Sequence, residues 1–167
     1  SAYALVMPKQ RADELNIHSI TDLASHAGTM SIAGDYEIFS RPEWAGLQKV
    51  YGLKFRQQRQ MQPDFMYAAV ASGEVDVIAG YTSDGLIAKY GLTVLDDPKH
   101  AIPPYDAIVL LAPRRANDEK LRAALQPLLG KINIATMREA NLRASGNDAS
   151  SSPAAVARWL WDKIAQP

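Results

Sequence analysis

The stretch "GEVDVIAGYTSDG" (residues 73–85) decides the fold class. Val75, Val77 and Ile78 make an apolar run of strand type, and the run ends on Tyr81, Thr82, Ser83 and Asp84 just ahead of a helix signal. A strand that wants a core on one side and stops at an aromatic ring with three hydrogen-bonding side chains is the pattern of an α/β layer. In such layers ligands gather outside the ends of the strands. Asp84 is placed to cap the helix that follows, expected from about Asp84 to Tyr90.

Working outward, strand and helix signals alternate through the first two-thirds of the chain. Strands are expected at Ala4–Met7, "MSIAG" (30–34), "LKFRQQ" (53–58), Val75–Tyr81, "LTVL" (92–95) and "AIVLLA" (107–112). Helices are expected in "SITDLASHAG", capped by Ser19 or Thr21 and ended by Gly28, and in "RPEWAGLQKVYG", with proline near its start and Gly52 at its end. "QPDFMYAAVASG" is a third, stopped by Gly73. This alternation implies a largely parallel β-sheet flanked by helices. After Pro113 the chain turns helical throughout, in "NDEKLRAALQPLLG", "ATMREANLRA" and "SPAAVARWLWDKIA", with "SGNDASSS" as a polar flexible spacer. Leu121, Leu125, Leu128, Leu129, Trp159, Leu160 and Ile164 of this tail need something to bury against.

The 167 residues suit one domain or two small lobes, and 47% hydrophobic with 22% charged residues is a globular balance. Lys+Arg and Asp+Glu number 18 each, so there is no basic face of the kind that nucleic-acid binding needs. The absence of cysteine removes disulfides, thiolate catalysis and cysteine metal sites. His18, His26 and His100 lie at no metal-ligand spacing. Gly80 and Gly85 bracket four residues as a phosphate loop would, but Leu86-Ile87 follows where Lys-Ser/Thr is required. The nucleophile-elbow pattern around Ser83 is also missing. Neither an enzyme nor a cofactor or metal site is indicated. No signal peptide precedes Ser1, which leaves a cytoplasmic chain, a mature form or an excised piece, and the opening "SAYALVM", a strand already under way, points towards the last.

The tyrosines carry the functional signal. Seven are present, and Tyr3, Tyr81 and Tyr105 fall at strand ends. Singly, each reads as a rim residue of the core. Together they offer aromatic faces to a quaternary ammonium group, each face worth about 0.5–2 kcal/mol. Arg41, at a helix entrance in "FSRPEW", reads equally as a solvated cation or as the partner of a carboxylate.

"GEVDVIAGYTSDGLIAKYGLTVLDDPKHAIPPYDA" resembles the substrate-binding components of ABC importers for glycine betaine, choline and related osmoprotectants, of the periplasmic-binding-protein-like type. "YALVMPKQRADELNIHSITDLA", "RPEW…GLQKVYGLKF" and "LLGKINIATMREANLRA…PAAVARWL" extend the resemblance over essentially the whole chain. It implies a solute-binding component that captures a quaternary ammonium solute in a tyrosine box and hands it to a membrane permease, outside the cytoplasmic membrane, free, lipid-anchored or fused to the permease. Tyr3, Tyr81 and Tyr105 would wall the box, Arg41 would hold a betaine carboxylate, and Thr82, Ser83 and Asp84 would shape the rim. Ser1 departs from the acidic residue that some members carry two positions before the first tyrosine. By the same resemblance, residues 1–105 are the second lobe and residues 106–167 return to a first lobe, roughly a hundred residues of which lie outside this sequence. The orphan helical tail then invites self-association. The alternative is a truncated lobe that acts in interaction or regulation and binds no solute by itself.

Overall fold

The computed structural model describes residues 1–165. Five strands form one sheet: β1 (Tyr3–Pro8), β2 (Ser31–Gly34), β3 (Gln57–Gln60), β4 (Val77–Tyr81) and β5 (Leu92–Val94). Their spatial order is β3-β2-β4-β1-β5. β2 pairs in parallel with β3 and β4, while β1 runs antiparallel to both β4 and β5. Four strands therefore share one direction and β1 alone is reversed, which makes a mixed sheet with two parallel and two antiparallel pairings.

Alternation along the strands makes a core on each face. Leu5 and Met7 of β1 with Val77 and Ala79 of β4 point into one cluster, completed by Ile17, Ile20, Leu23, Trp44 and Leu47. Ala4 and Val6 with Ile78 point into the other, against Met66, Tyr67, Val70 and Ile87. Because side chains alternate with period two, a sheet covered on both sides must be apolar at successive positions, and "YALVM" and "VIAGY" are. The first face is covered by α1 (Lys9–Leu15), α2 (Ile20–Ala24) and α3 (Pro42–Tyr51); the second by α4 (Pro63–Ser72) and the short α5 (Leu86–Lys89).

Local signals account for the helix ends. Ser19 accepts from the Asp22 backbone N–H while Asp22 accepts from the Ser19 N–H, a closed capping box that selects Ser19 over Thr21. α3 and α4 begin with proline and end at Gly52 and Gly73 in the left-handed conformation. α1 was not expected from the sequence: "KQRADEL" has one buried residue, Ala12, and so no apolar stripe to announce it.

The tail contains α6 (Glu119–Leu125), α7 (Ile134–Ala144) and α8 (Pro153–Ala165). Two expectations are corrected here. "AIVLLA" (107–112) has no regular secondary structure and pairs with no strand among the described residues, and Ile108 and Leu110 are 73% and 83% exposed. Its apolar pattern is that of a buried strand, but among the described residues only Val109 and Leu111 find apolar company, in a hollow shared with Leu125 and Leu129. "SGNDASSS" is not a free spacer. Asp148 accepts from the Ser151 N–H and hydroxyl and starts a short 3-10 turn (Ala149–Ser151), with Ser151 buried. The Ser-Asp composition that reads as a linker is here a local cap.

Candidate site at the strand ends

The direction of the strands places their ends together. The carboxyl ends of β2 and β4 and the start of the reversed β1 lie on the same edge of the sheet. Tyr3 and Tyr81 are direct partners in the β1–β4 register, so their rings project from the same face. The centroids are 4.9 Å apart with planes inclined by 32°. One residue beyond β2, Asp35 receives the hydroxyl of Tyr81 on Oδ2, with the Tyr3 hydroxyl 3.4 Å from the same oxygen. Its Oδ1 accepts the backbone N–H groups of Ile38 and Glu37 at 2.8 and 3.0 Å.

Asp35 is only 9% exposed. Burial works against its charge, but the hydrogen bonds from Tyr81, Ile38, Glu37 and Tyr3 outweigh it and hold the carboxyl below its usual range. The same burial, with Asp35 as acceptor, pushes the Tyr81 phenol up. The tyrosine pair is thus two neutral rings fixed at their hydroxyl ends by one ionised carboxylate.

Tyr81 is also set from behind. Its backbone N–H donates to the hydroxyl of fully buried Tyr67 at 3.1 Å. Gly80 makes room for that hydroxyl, since a Cβ at residue 80 would lie 2.6 Å from it. Burial raises the Tyr67 phenol well above its ordinary value.

Arg41 stands beside this pair as the residue before α3. Its Cζ is 5.6 Å from the centroid of the Tyr3 ring. The guanidinium is already engaged: Nε and Nη2 donate to Glu43 at 3.3 and 3.4 Å, and Nη1 donates to Glu37 at 3.2 Å. Glu43 also accepts the hydroxyl of Tyr105. The Tyr105 bond, the backbone and Arg41 hold the Glu43 carboxyl down at about 2. Tyr105 therefore joins the cluster through Glu43, although it lies in a loop and not at the head of a strand.

Thr82, Ser83 and Asp84 take supporting positions. Thr82 exchanges hydrogen bonds with Ala2, accepting the Ala2 N–H on Oγ1 and donating its own N–H to the Ala2 carbonyl. Helix α7 reaches over the same loop, where Arg138 donates to the Thr82 carbonyl at 2.5 Å and Asn141 to the Ser83 carbonyl at 2.7 Å. Asp84 accepts from the Leu86 N–H at 2.9 Å in the turn ahead of α5, whose N-cap position is held by Gly85 rather than by Asp84. A cavity of about 390 Å³ opens beside this loop, lined in part by Ala2, Thr82, Ser83, Tyr105, Asn133 and Met137.

All seven residues singled out from the sequence thus fall in one region. Asp35 and Glu43 were missed. Both had a signal: Asp35 follows the strand "SIAG", and Glu43 sits in the first helical turn two residues after Arg41. Tyr67, Arg138 and Asn141 gave none, because their role depends on which helix packs on which loop. Among the described residues there is no group of three or more acidic or histidine side chains able to hold a metal, and no helix is long and apolar enough to cross a membrane.

Comparison with known proteins places the chain in a family. The profile of the family described as the substrate binding domain of ABC-type glycine betaine transport system matches residues 1–162. A carnitine transport binding protein of Listeria monocytogenes is 28% identical over 154 residues, covering 87% of this chain and 48% of that protein. A glycine-betaine-binding protein of Pseudomonas aeruginosa is 31% identical over 156 residues, covering 86% and 50%. The crystal structure of a glycine betaine/carnitine/choline ABC transporter superposes with a TM-score of 0.86 at 32% identity, covering 97% of this chain and 60% of that one. The chain spans about half the length of the curated relatives it matches. With the family profile matched over nearly all its residues, the chain belongs to the family of substrate-binding domains of ABC-type glycine betaine transport systems.

Proposed function

We propose that this chain is one lobe, with part of a second, of a module that captures a quaternary ammonium osmoprotectant outside the cytoplasmic membrane and delivers it to an ABC permease. The observation that carries the reading is the Tyr3–Tyr81 pair held by Asp35 at the strand ends, with Tyr105 and Arg41 alongside. A trimethylammonium group has no hydrogen to donate, so it is recognised by ring faces and by negative charge nearby rather than by hydrogen bonds. Tyr3, Tyr81 and Tyr105 supply the faces, and Asp35 and Glu43 the negative field. Thr82, Ser83 and Asp84 form the rim, and Arg41 is the group nearest to a ligand carboxylate.

The division of the chain follows the same reading. Residues 1–105 contain both large apolar clusters, whereas the tail buries little beyond Thr136, Ala140, Ser151 and Val156. Residues 106–167 are then the return segment and helices of the other lobe, and exposed Ile108, Val109 and Leu110 are the face on which that lobe is completed. Closure of two lobes on the solute would present the shape that the permease reads. The chain taken by itself has an apolar surface through which copies associate.

Calorimetric titration of the full chain with glycine betaine and with choline tests the reading. Saturable binding that is lost in Tyr81→Ala, with the circular dichroism spectrum unchanged, supports it. Binding that survives in Tyr81→Ala removes the tyrosine box.

A further inference from the structure

Arg41 is not a waiting cation. Two carboxylates hold it, and they are unlike. Glu37 is 73% exposed at its side chain, and a pair of that kind is screened by water and contributes little. Glu43 is 8% exposed, takes two of Arg41's nitrogens and the Tyr105 hydroxyl, and sits in the first turn of α3, where the helix dipole favours an anion. The pair borders a hollow of about 250 Å³ lined by Arg41, Pro42, Glu43, Ala101 and Pro103.

We propose that Glu43 is a built-in counter-anion of Arg41, which a carboxylate-bearing ligand must displace or share, and that Glu43 thereby sets the preference between betaines and choline-type cations. The inference rests on the ligand class given under Proposed function and names the residue that divides it. A betaine brings a second anion to a guanidinium already neutralised and meets the charge of Glu43 at close range. Choline carries a hydroxyl in place of the carboxylate, makes no claim on Arg41, and gains from the negative charge that Glu43 leaves near the site.

The test compares the wild-type chain with Glu43→Gln, which keeps the side-chain length and an acceptor for Tyr105 but removes the charge. Glu43→Asp is a second variant, which retains the charge but withdraws it by one methylene. Glu37→Gln is the control. Each is first checked for an unchanged circular dichroism spectrum. In one arm the Arg41 Nε–H resonance is followed by NMR as sodium acetate is added. It is expected to move in Glu43→Gln, less in Glu43→Asp, and hardly at all in the wild type and Glu37→Gln. In the other arm, glycine betaine is expected to bind Glu43→Gln about tenfold more tightly than the wild type, while choline stays level or weakens. Equal acetate responses in all four proteins, or a betaine-to-choline ratio untouched by Glu43→Gln, would overturn the proposal. An acetate response confined to the Glu43 variants, with neither ligand binding any protein, would leave Glu43 as counter-anion and overturn the ligand class instead.

Discussion

At the scale of single residues, Asp35 joins the fold to the candidate site. It gathers two phenol hydroxyls and two backbone N–H groups on one buried carboxylate. Replacing it with alanine strands donors in a water-poor place, so Asp35→Ala is expected to lower stability by about 1–3 kcal/mol, read from urea unfolding. Asp35→Asn is expected to cost less. If the alanine variant unfolds at the wild-type midpoint, the network holds nothing together. Glu43 gives a pH signature. Its carboxyl is held at about 2 in the folded chain against an ordinary 4.5. A depressed carboxyl stabilises the fold above its unfolded value and loses that contribution as pH falls. Acid unfolding between about pH 4.5 and 2 is therefore expected to be shallower in Glu43→Gln, and identical acid profiles would contradict the assignment. The sequence exposed the tyrosines because aromatic residues at strand ends are unusual in pattern. It did not expose the two carboxylates behind them, because an acidic residue after a strand or in a first helical turn ordinarily serves as a cap.

At the scale of elements, the sheet was readable and its neighbours less so. β1, β2 and β4 are apolar on both faces, and that doubled pattern can only be satisfied between two layers of helices. β3, "QQRQ", carries no such pattern, which is why "LKFRQQ" located it too early: its backbone pairs with β2 while its side chains face solvent. The contact between α7 and the Thr82–Gly85 loop was not readable, since it joins residues more than fifty positions apart. Gly85 makes it possible. A Cβ there would lie 2.4 Å from the Leu142 backbone nitrogen. Gly85→Ala is thus expected to push α7 off the loop while the sheet persists. Hydrogen exchange should show faster exchange in α7, with β1 and β4 unchanged. Uniform slow exchange in the variant would mean that α7 is not seated there.

At the scale of the whole molecule, the chain is uneven, with a sheet domain packed on both faces and a tail that leaves apolar residues in water. The strand expected at 107–112 shows why a pattern can be right about chemistry and wrong about structure. "AIVLLA" asks for burial, and among the described residues no strand pairs with it, so Ile108 and Leu110 stay exposed. Sedimentation of the chain is expected to show a mass that rises with concentration and falls back in Leu110→Ser with Leu129→Ser. A single monomeric mass throughout would contradict self-association. The central claim is that ring faces at the strand ends receive a quaternary ammonium group, and the direct measurement is NMR of the ligand's N-methyl protons in the presence of the chain. The account predicts that the signal moves upfield and shows magnetisation transfer from the ring protons of Tyr3 and Tyr81, both lost in Tyr81→Ala. Transfer from other residues, or a shift that persists without the Tyr81 ring, would contradict it.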